Sequence, residues 1–401
     1  LWTDEAALIY LLARREPFYA QSGLTIPVDG RDPSVIAEMI ASRIITDQSF
    51  SVRLGSTECA VTATMNAPQT VAEMSRGVKT AVLTDSTVDR IHSGRYETLF
   101  RPAAKIMVKP GDRTKTLATA RRAFDELIAG RFGRDDFLIA LGGGVVTDLG
   151  AFVASTFKRG MDFALASTTL VGCVDAAIGG KAAVNLGKVK NVVGAFTTPK
   201  AVVLDLAALG TLGRRQISEG LVEAYKTGLV ACPELALLVE EQAGALMAGD
   251  APLIAEVVRQ SAMTKAEIVS CDFKESGLRR VLNFGHTYGH AVEGFHSYSV
   301  SHGRAVALGM RAAAEISLGR GLIDLDRTDR IHRTLKKISP YKAEAPPPEA
   351  AWDIMQNDKK VKRGRLVFAL LAGIGRAVCV EDVTKEELAA ALDAAAERMN
   401  G

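Results

Sequence analysis

Apolar and polar positions follow two different periods along the chain, and the change falls near residue 214. Between about 50 and 210, short apolar runs such as AVLT (81–84) and FLIAL (137–141) are each followed by polar or glycine-rich turns, and 163–165 and AVVLDL (201–206) continue the series. Strands separated by helical patterns predict a parallel sheet covered on both faces. After Arg214, long Ala- and Leu-rich stretches repeat their apolar residues at the helical period: 216–230, 235–247, 253–269, 286–296 and 386–399. Residues 214–401 are therefore expected to be mostly helical, broken by a loop over 341–350 that contains Pro346, Pro347 and Pro348. The first 48 residues differ in character: residues 11–44 read as helix, short strand and a helix capped near Asp32-Pro33-Ser34. No internal repeat is visible.

Length and composition narrow this picture. A chain of 401 residues predicts two domains. Its 48% hydrophobic and 24% charged residues exclude collagen, long coiled coils and general disorder. Lys and Arg total 49 against 46 Asp and Glu, so no broad positive field points to nucleic acid. Cys59, Cys173, Cys232, Cys271 and Cys379 stand far apart without a C-x-x-C, which indicates neither a disulfide framework nor a cysteine zinc site; a reducing cytoplasm is expected. No apolar stretch reaches the ~20 residues that span a bilayer, so no membrane partner is expected. The start has no basic n-region and no initiator Met, and reads as a fragment whose upstream part is missing.

Three segments carry candidate chemistry. Gly142-Gly143-Gly144-Val145-Val146-Thr147-Asp148 directly follows a predicted strand. Strand, glycine turn and helix in that order let backbone N–H groups and a helix dipole meet a phosphate, although the spacing is not G-x-G-x-x-G; nucleotide binding and a tight structural turn both stay open. Gly179-Gly180-Lys181 is not a P-loop, because Asp175 and Ala182 stand where a glycine and a Ser/Thr are needed. With Lys188, Lys190 and Asn191 it is either a solvated loop or an anion pocket. The third signal is sharper. Four of the six histidines lie at His286, His290, His296 and His302, and His286 and His290 share a face if the segment is helical. Histidines at that spacing are often zinc ligands, although H-E-x-x-H is absent. Glu223 sits on an otherwise apolar helix beside Lys226 and needs a charge partner or a metal. Core hydrogen bonding is the alternative for a single histidine; a cluster of four favours a metal. Around them stand Lys265, Glu275, Arg279, Arg280 and Asn283, and the run 358–365 adds five basic charges, either a wet face or a phosphate site.

Together these motifs resemble the 3-dehydroquinate synthase family of sugar-phosphate cyclases over roughly residues 50–401. The resemblance rests on GGGVVTD (142–148), KRG (158–160), TTL (168–170), VDAAIGGK (174–181), GKVKN (187–191), GLVEAYK (220–226), ESGLRRVLNFGHTYGH (275–290), HG (302–303) and DKK (358–360). Residues 11–44 resemble the C-terminal end of shikimate kinases. No G-x-x-x-x-G-K-[ST] occurs, so that segment alone is not a working kinase, and the chain resembles the C-terminal part of a shikimate kinase–dehydroquinate synthase fusion.

The resemblance implies an α/β N-terminal nucleotide-binding domain over 49–213, an all-α C-terminal domain over 214–401 and an active site in the interdomain cleft. It implies NAD and one divalent metal, zinc as the usual ion and cobalt as the alternative, held by Glu223, His286 and His302. His290 then falls at a proton-transfer and phosphate position instead. NAD would meet Asp85, Asp112, Lys115, Gly143, Gly144, Val145, Asp148, Thr168, Thr169, Lys181, Lys190 and Thr211. Substrate groups would be Asp175, Lys181, Asn191, Lys226, Lys265, Glu275, Arg279, Asn283 and His290, with Lys359 or Lys360 completing the phosphate pocket. Arg159 would reach in from the partner subunit of a homodimer. The implied reaction converts 3-deoxy-D-arabino-heptulosonate 7-phosphate, a sugar-acid phosphate, to 3-dehydroquinate and phosphate, with NAD regenerated in each cycle.

Several positions depart from the family pattern: Ser167, Ala176, Ala177, Asp112, Ala182, Gly213, Gln216 and Arg304. Arg304 reverses a charge two residues after a metal position, which bears on metal affinity and rate. The rival readings are a cyclase for sedoheptulose or hexose phosphates, a metal-dependent polyol dehydrogenase of similar fold, and a non-catalytic remnant acting as a scaffold.

Overall fold

A seven-stranded sheet occupies the first half of the chain. In the computed structural model, which describes residues 47–187, 189–340, 345–356 and 366–400, the strands are β1 (Gln48–Leu54), β2 (Thr57–Thr64), β3 (Thr80–Asp85), β4 (Ala104–Val108), β5 (Phe137–Gly142), β6 (Asp162–Ser167), β7 (Lys181–Leu186), β8 (Val189–Phe196) and β9 (Ala201–Asp205). The large sheet runs β1-β2-β9-β6-β5-β3-β4, while β7 and β8 form a separate antiparallel hairpin. All neighbours in the large sheet are parallel except β1 and β2. The kinase-like reading of the first 48 residues lies, apart from its last two, outside the described residues.

The helices threaded through this half are α1 (Ala67–Met74), α2 (Ser86–Glu97), α3 (Leu117–Ala129), α4 (Gly144–Thr156) and the short α5 (Leu206–Leu209). Strands β3 and β5 are buried along their whole length, as their unbroken apolar runs require of a sheet covered on both faces. Alternation still decides which helix each residue meets. Ile139 and Leu141 of β5 join Val71, Val88 and Tyr96 in one core cluster. Ala140 points the other way, so close to α4 that a Cβ on Gly150 would come within 2.4 Å of its own. Strand β9 stops at Asp205, one residue before the predicted end, because that carboxylate caps α5 by accepting from the Ala208 N–H at 3.1 Å.

The strand order positions the nucleotide end of the site. From β3 the chain moves outward to β4, then returns to the other side of β3 as β5. The carboxyl ends of β3 and β5 thus flank a topological switch point, where open α/β sheets bind ligands. Asp85 and the Gly142–Gly144 turn sit at those two ends.

The second half is helical: α6 (Arg214–Ala231), α7 (Pro233–Ala248), α8 (Ala251–Cys271), α9 (His286–Phe295), α10 (His302–Gly319), α11 (Leu325–Ile338), α12 (Pro348–Gln356) and α13 (Lys385–Asn400), with a small hairpin of β10 (Phe368–Leu371) and β11 (Ala377–Val380). Helix α10 is the centre of this half, buried at Ala305, Val306, Met310, Ala314 and Ile316 and packed on α6, α9, α11 and α13. Burying side chains such as Ile316 contributes about 1.5–3 kcal/mol each. The predicted loop over 341–350 ends early, because Pro348 opens α12. A fixed φ and a missing N–H suit the first turn of a helix. The described residues from Asp47 onward form one compact unit, and none of their helices is long and apolar enough to cross a membrane.

Candidate active site

Glu223 and Lys226 stand three residues apart on α6 and share a face, 0% and 2% exposed. Lys226 Nζ donates to Glu223 Oε2 at 2.6 Å. Glu223 Oε1 is buried and has no hydrogen-bond partner among the described residues. Two imidazole nitrogens face it: His302 Nε2 at 3.2 Å and His286 Nε2 at 3.7 Å. The ligand atoms of the three residues all lie within 4.8 Å of one another. A buried anionic oxygen without a donor, met by two imidazoles, is a donor set that fits a divalent metal with an open position. Burial works against the charge on Glu223, but Lys226 and His302 outweigh it and hold the carboxyl far below its usual range.

Helix packing brings the two histidines together. His286 opens α9 and His302 opens α10. The helices approach so closely that a Cβ on Gly309 would stand 1.8 Å from the Gly285 carbonyl oxygen, and one on Gly289 would stand 3.0 Å from the Ala305 oxygen. His286 Nδ1 lies 3.3 Å from the Phe284 carbonyl oxygen. Donating there leaves the Nε2 lone pair facing Glu223. The i,i+4 neighbour His290 has its ring 5.5 Å from that of His286 and stands beside the trio rather than in it.

Four cations surround this centre, and three are matched by carboxylates. Lys226 pairs with Glu223, Lys265 Nζ lies 2.6 Å from Asp175 Oδ1, and Lys181 pairs with Glu275. Asn283 Nδ2 donates to the other Glu275 oxygen at 2.6 Å. Burial pushes Lys265 down, Asp175 restores part of the loss, and Arg279 and Lys226 push it further, to about 8. Arg279 is different. It is 3% exposed, and its Nη1 donates only to carbonyl oxygens, of Gly179 at 3.0 Å and Phe273 at 2.7 Å. It makes no ion pair among the described residues.

Asp272 builds the loop that carries Glu275 and Arg279. Its carboxylate accepts from the N–H groups of Ser276 (2.8 Å), Gly277 (2.7 Å) and Arg279 (3.1 Å) and from Ser276 Oγ (3.0 Å). Burial opposes its charge, but these donors win and hold it at about 2.

On the nucleotide side, Gly143 occupies the N-cap of α4 with no side-chain cap. A Cβ there would come within 2.9 Å of Thr169 Cγ2, so the turn is open only because it is glycine. Thr168 N donates to the Gly142 carbonyl at 3.0 Å, joining the ends of β5 and β6. This cradle at a helix N-terminus, followed by Gly144 and Val145, fits a nucleotide diphosphate. Lys115 Nζ reaches Asp148 at 2.8 Å. Asp112 receives Lys190 at 3.3 Å and Asn185 Nδ2 at 3.2 Å. Asp85 caps α2 through one carboxylate oxygen, Oδ1, which accepts from the N–H groups of Thr87 and Val88 at 2.8 and 3.0 Å. Thr211 donates to the Ala208 carbonyl at 2.7 Å.

The remaining predicted site residues are less engaged. Asn191 has a positive φ of 51° on the β7–β8 hairpin, and its N–H donates to Asn185 Oδ1 at 3.0 Å. Arg159 is exposed on a turn where φ is 68°. Lys359 and Lys360 lie outside the described residues. Sequence reasoning missed Asp272 and Glu293; Glu293 is a buried carboxylate on a largely apolar helix, the same signal that marked Glu223.

The chain is similar to proteins of known sequence and structure. Residues 105–219 match the 3-dehydroquinate synthase N-terminal family and residues 220–361 its C-terminal family. The 3-dehydroquinate synthase of Caldanaerobacter subterraneus subsp. tengcongensis is 38% identical over 320 residues, 77% of this chain and 90% of that protein. That of Brucella ovis is 33% identical over 365 residues, 88% and 95% of the two. Among solved structures, ValA, a 2-epi-5-epi-valiolone synthase of Streptomyces hygroscopicus subsp. jinggangensis 5008 with NAD+ and Zn2+ bound, superposes with a TM-score of 0.78 at 27% identity, covering 86% of this chain and 99% of that one. A 2-deoxy-scyllo-inosose synthase shares the fold with a TM-score of 0.76 at 21% identity, covering 86% and 99%. By these matches, over most of its length and across both halves of the site, the chain belongs to the 3-dehydroquinate synthase family.

Proposed function

We infer that the chain is a 3-dehydroquinate synthase, a phosphate-eliminating cyclase that takes 3-deoxy-D-arabino-heptulosonate 7-phosphate to 3-dehydroquinate and phosphate. The observation that carries this substrate is Arg279. A buried cation without a carboxylate partner is costly, so the site is completed by an anion from outside. A guanidinium suits a carboxylate, which it grips with two parallel hydrogen bonds. The sugar phosphates used by other cyclases, sedoheptulose or hexose phosphates, carry no carboxylate to place there.

Glu223, His286 and His302 would hold the metal, zinc or cobalt. Asp85, Asp112, Lys115, Gly143, Gly144, Val145, Asp148, Thr168, Thr169, Lys190 and Thr211 would hold NAD. Bound there, the pair supplies reversible hydride transfer at a polarised hydroxyl. The chain's own side chains do the rest. Arg279 and Lys265 orient the carboxylate, and Asp175 holds Lys265 in place. Lys181, Asn191 and His290 receive the phosphate, with Lys359 or Lys360, and His290 stands at the position for proton transfer. Glu275 and Asn283 hold Lys181 and the loop before α9 in register with the substrate. We further propose a homodimer in which Arg159 serves the partner subunit, a cytoplasmic location and an upstream shikimate kinase portion.

The test is phosphate release from the heptulosonate phosphate with NAD well below the substrate concentration. Many turnovers per NAD without accumulating NADH are expected. NADH formed in step with product identifies a polyol dehydrogenase instead, and faster turnover of sedoheptulose 7-phosphate identifies a different cyclase.

A further inference from the structure

One buried carboxylate has no part in the reading above. Glu293 lies on α9, seven residues after His286, with its side chain 3% exposed. Its Oε1 faces two groups: His302 Nδ1 at 3.6 Å and Lys190 Nζ at 3.1 Å. Lys190 comes from the β7–β8 hairpin, reaches on to Asp112 Oδ2 at 3.3 Å, and lies 4.5 Å from the centre of the Tyr298 ring. The imidazole of His302 therefore stands between two carboxylates from different helices, Glu223 at its Nε2 and Glu293 at its Nδ1.

The two histidines are held in different ways. The His286 side chain is 10% exposed and has a backbone carbonyl beside its Nδ1. The His302 side chain is 36% exposed, so packing fixes its ring less firmly. A ligating imidazole needs its second nitrogen to donate to an acceptor, which sets the tautomer and the ring plane and makes the ligating nitrogen more basic. Glu293 is the acceptor placed to do this. A buried carboxylate itself needs a counter-charge, and Lys190 provides it.

We propose that Glu293 is a positioning residue for the metal centre, orienting His302 through Nδ1, and that Lys190 couples this orientation to the hairpin beside Asp112. The proposal rests on the metal reading of Glu223, His286 and His302 and extends it. It explains why a lysine from the α/β half ends on a helix of the metal half.

The test measures metal binding directly, with the metal-stripped full chain, Zn2+ as the probe and a competing chelator. Glu293→Ala is expected to weaken zinc binding by roughly 10–100-fold, the usual effect of removing such a partner. Glu293→Gln, which keeps the shape and removes the charge, is expected to lose about tenfold. With Co2+ in place of Zn2+, the visible absorption of the wild type should shift in both variants, a change that loosened packing elsewhere in α9 does not produce. Lys190→Met should weaken zinc binding in the wild type and add nothing further in Glu293→Ala, as coupled neighbours do. Wild-type zinc affinity in Glu293→Ala, or in Glu293→Gln should the alanine variant not fold, overturns the proposal. A wild-type chain that takes up no zinc or cobalt overturns the metal centre itself, which is a different result.

Discussion

Arg279 is held against the backbone of Gly179, donating from Nη1 to its carbonyl oxygen at 3.0 Å. Gly179 has a φ of +136°, and a Cβ built there would stand 2.2 Å from Arg279 Nη2. Any side chain at this position must therefore displace the guanidinium. Gly179→Ala is expected to lower kcat/KM for the heptulosonate phosphate by about tenfold or more, since charged hydrogen bonds contribute about 1.5–3 kcal/mol each. Zinc content and NAD binding should be unchanged. Arg279→Lys keeps the charge but loses the fork, and should cost about as much. Steady-state kinetics on both variants check this, and full activity in either removes Arg279 from carboxylate recognition.

Asp272 acts on the same loop from its other end. It gathers three backbone N–H groups, and removing the acceptor leaves those donors without a partner. Asp272→Ala is expected to destabilise the chain by about 1–3 kcal/mol. Its carboxyl is held at about 2, below an unfolded value near 3.8. The unfolded chain then binds more protons in between, so this contribution is present above about pH 4 and is lost as pH falls toward 2. Urea unfolding of wild type and variant at pH 7 and pH 3 should show a smaller difference at the lower pH.

Lys265 is expected to set the alkaline limit of activity. With its ammonium held at about 8, against an ordinary 10.5, kcat/KM should fall above about pH 8 as the charge is lost. Bound anionic substrate favours the ammonium, so the matching limb in kcat should lie higher. For stability the sign is reversed: the unfolded chain binds more protons between about 8 and 10.5, and folding gains with pH through that window. Lys265→Arg stays charged and should remove the alkaline limb of kcat/KM. A limb that persists in that variant belongs to another group.

How much of this was legible in the sequence follows from range. The long helices and the buried strands were visible because their apolar residues repeat at a local period. Glu223 was visible because a charge interrupts such a pattern. The β7–β8 hairpin was not, since β8 is largely exposed and shows no clean alternation. Pairings across the fold carry no local sign at all: Lys265 meets Asp175 from 90 positions away, and Lys190 meets Glu293 from 103. Spacing alone favours His286 with His290. What places His302 in the trio is the close approach of α9 and α10 at Gly285 and Gly309, which no count along one helix reveals.

The two histidine arrangements separate on metal content. In the structure His286 and His302 face Glu223 Oε1 at 3.7 and 3.2 Å, while His290 stands with its ring 5.5 Å from that of His286. Removing a metal-facing imidazole leaves too few donors for tight binding, so His286→Ala and His302→Ala should each purify without bound zinc. His290→Ala should keep its zinc and lose turnover. Metal binds only the folded state, so adding zinc to the stripped wild type should raise the unfolding free energy, by about 2.7 kcal/mol at a hundredfold excess over Kd. That gain should survive in His290→Ala and vanish in His286→Ala. Elemental analysis and melting curves with and without zinc check both expectations. Equal metal loss in His286→Ala and His290→Ala, with zinc retained in His302→Ala, would return the centre to the i,i+4 pair.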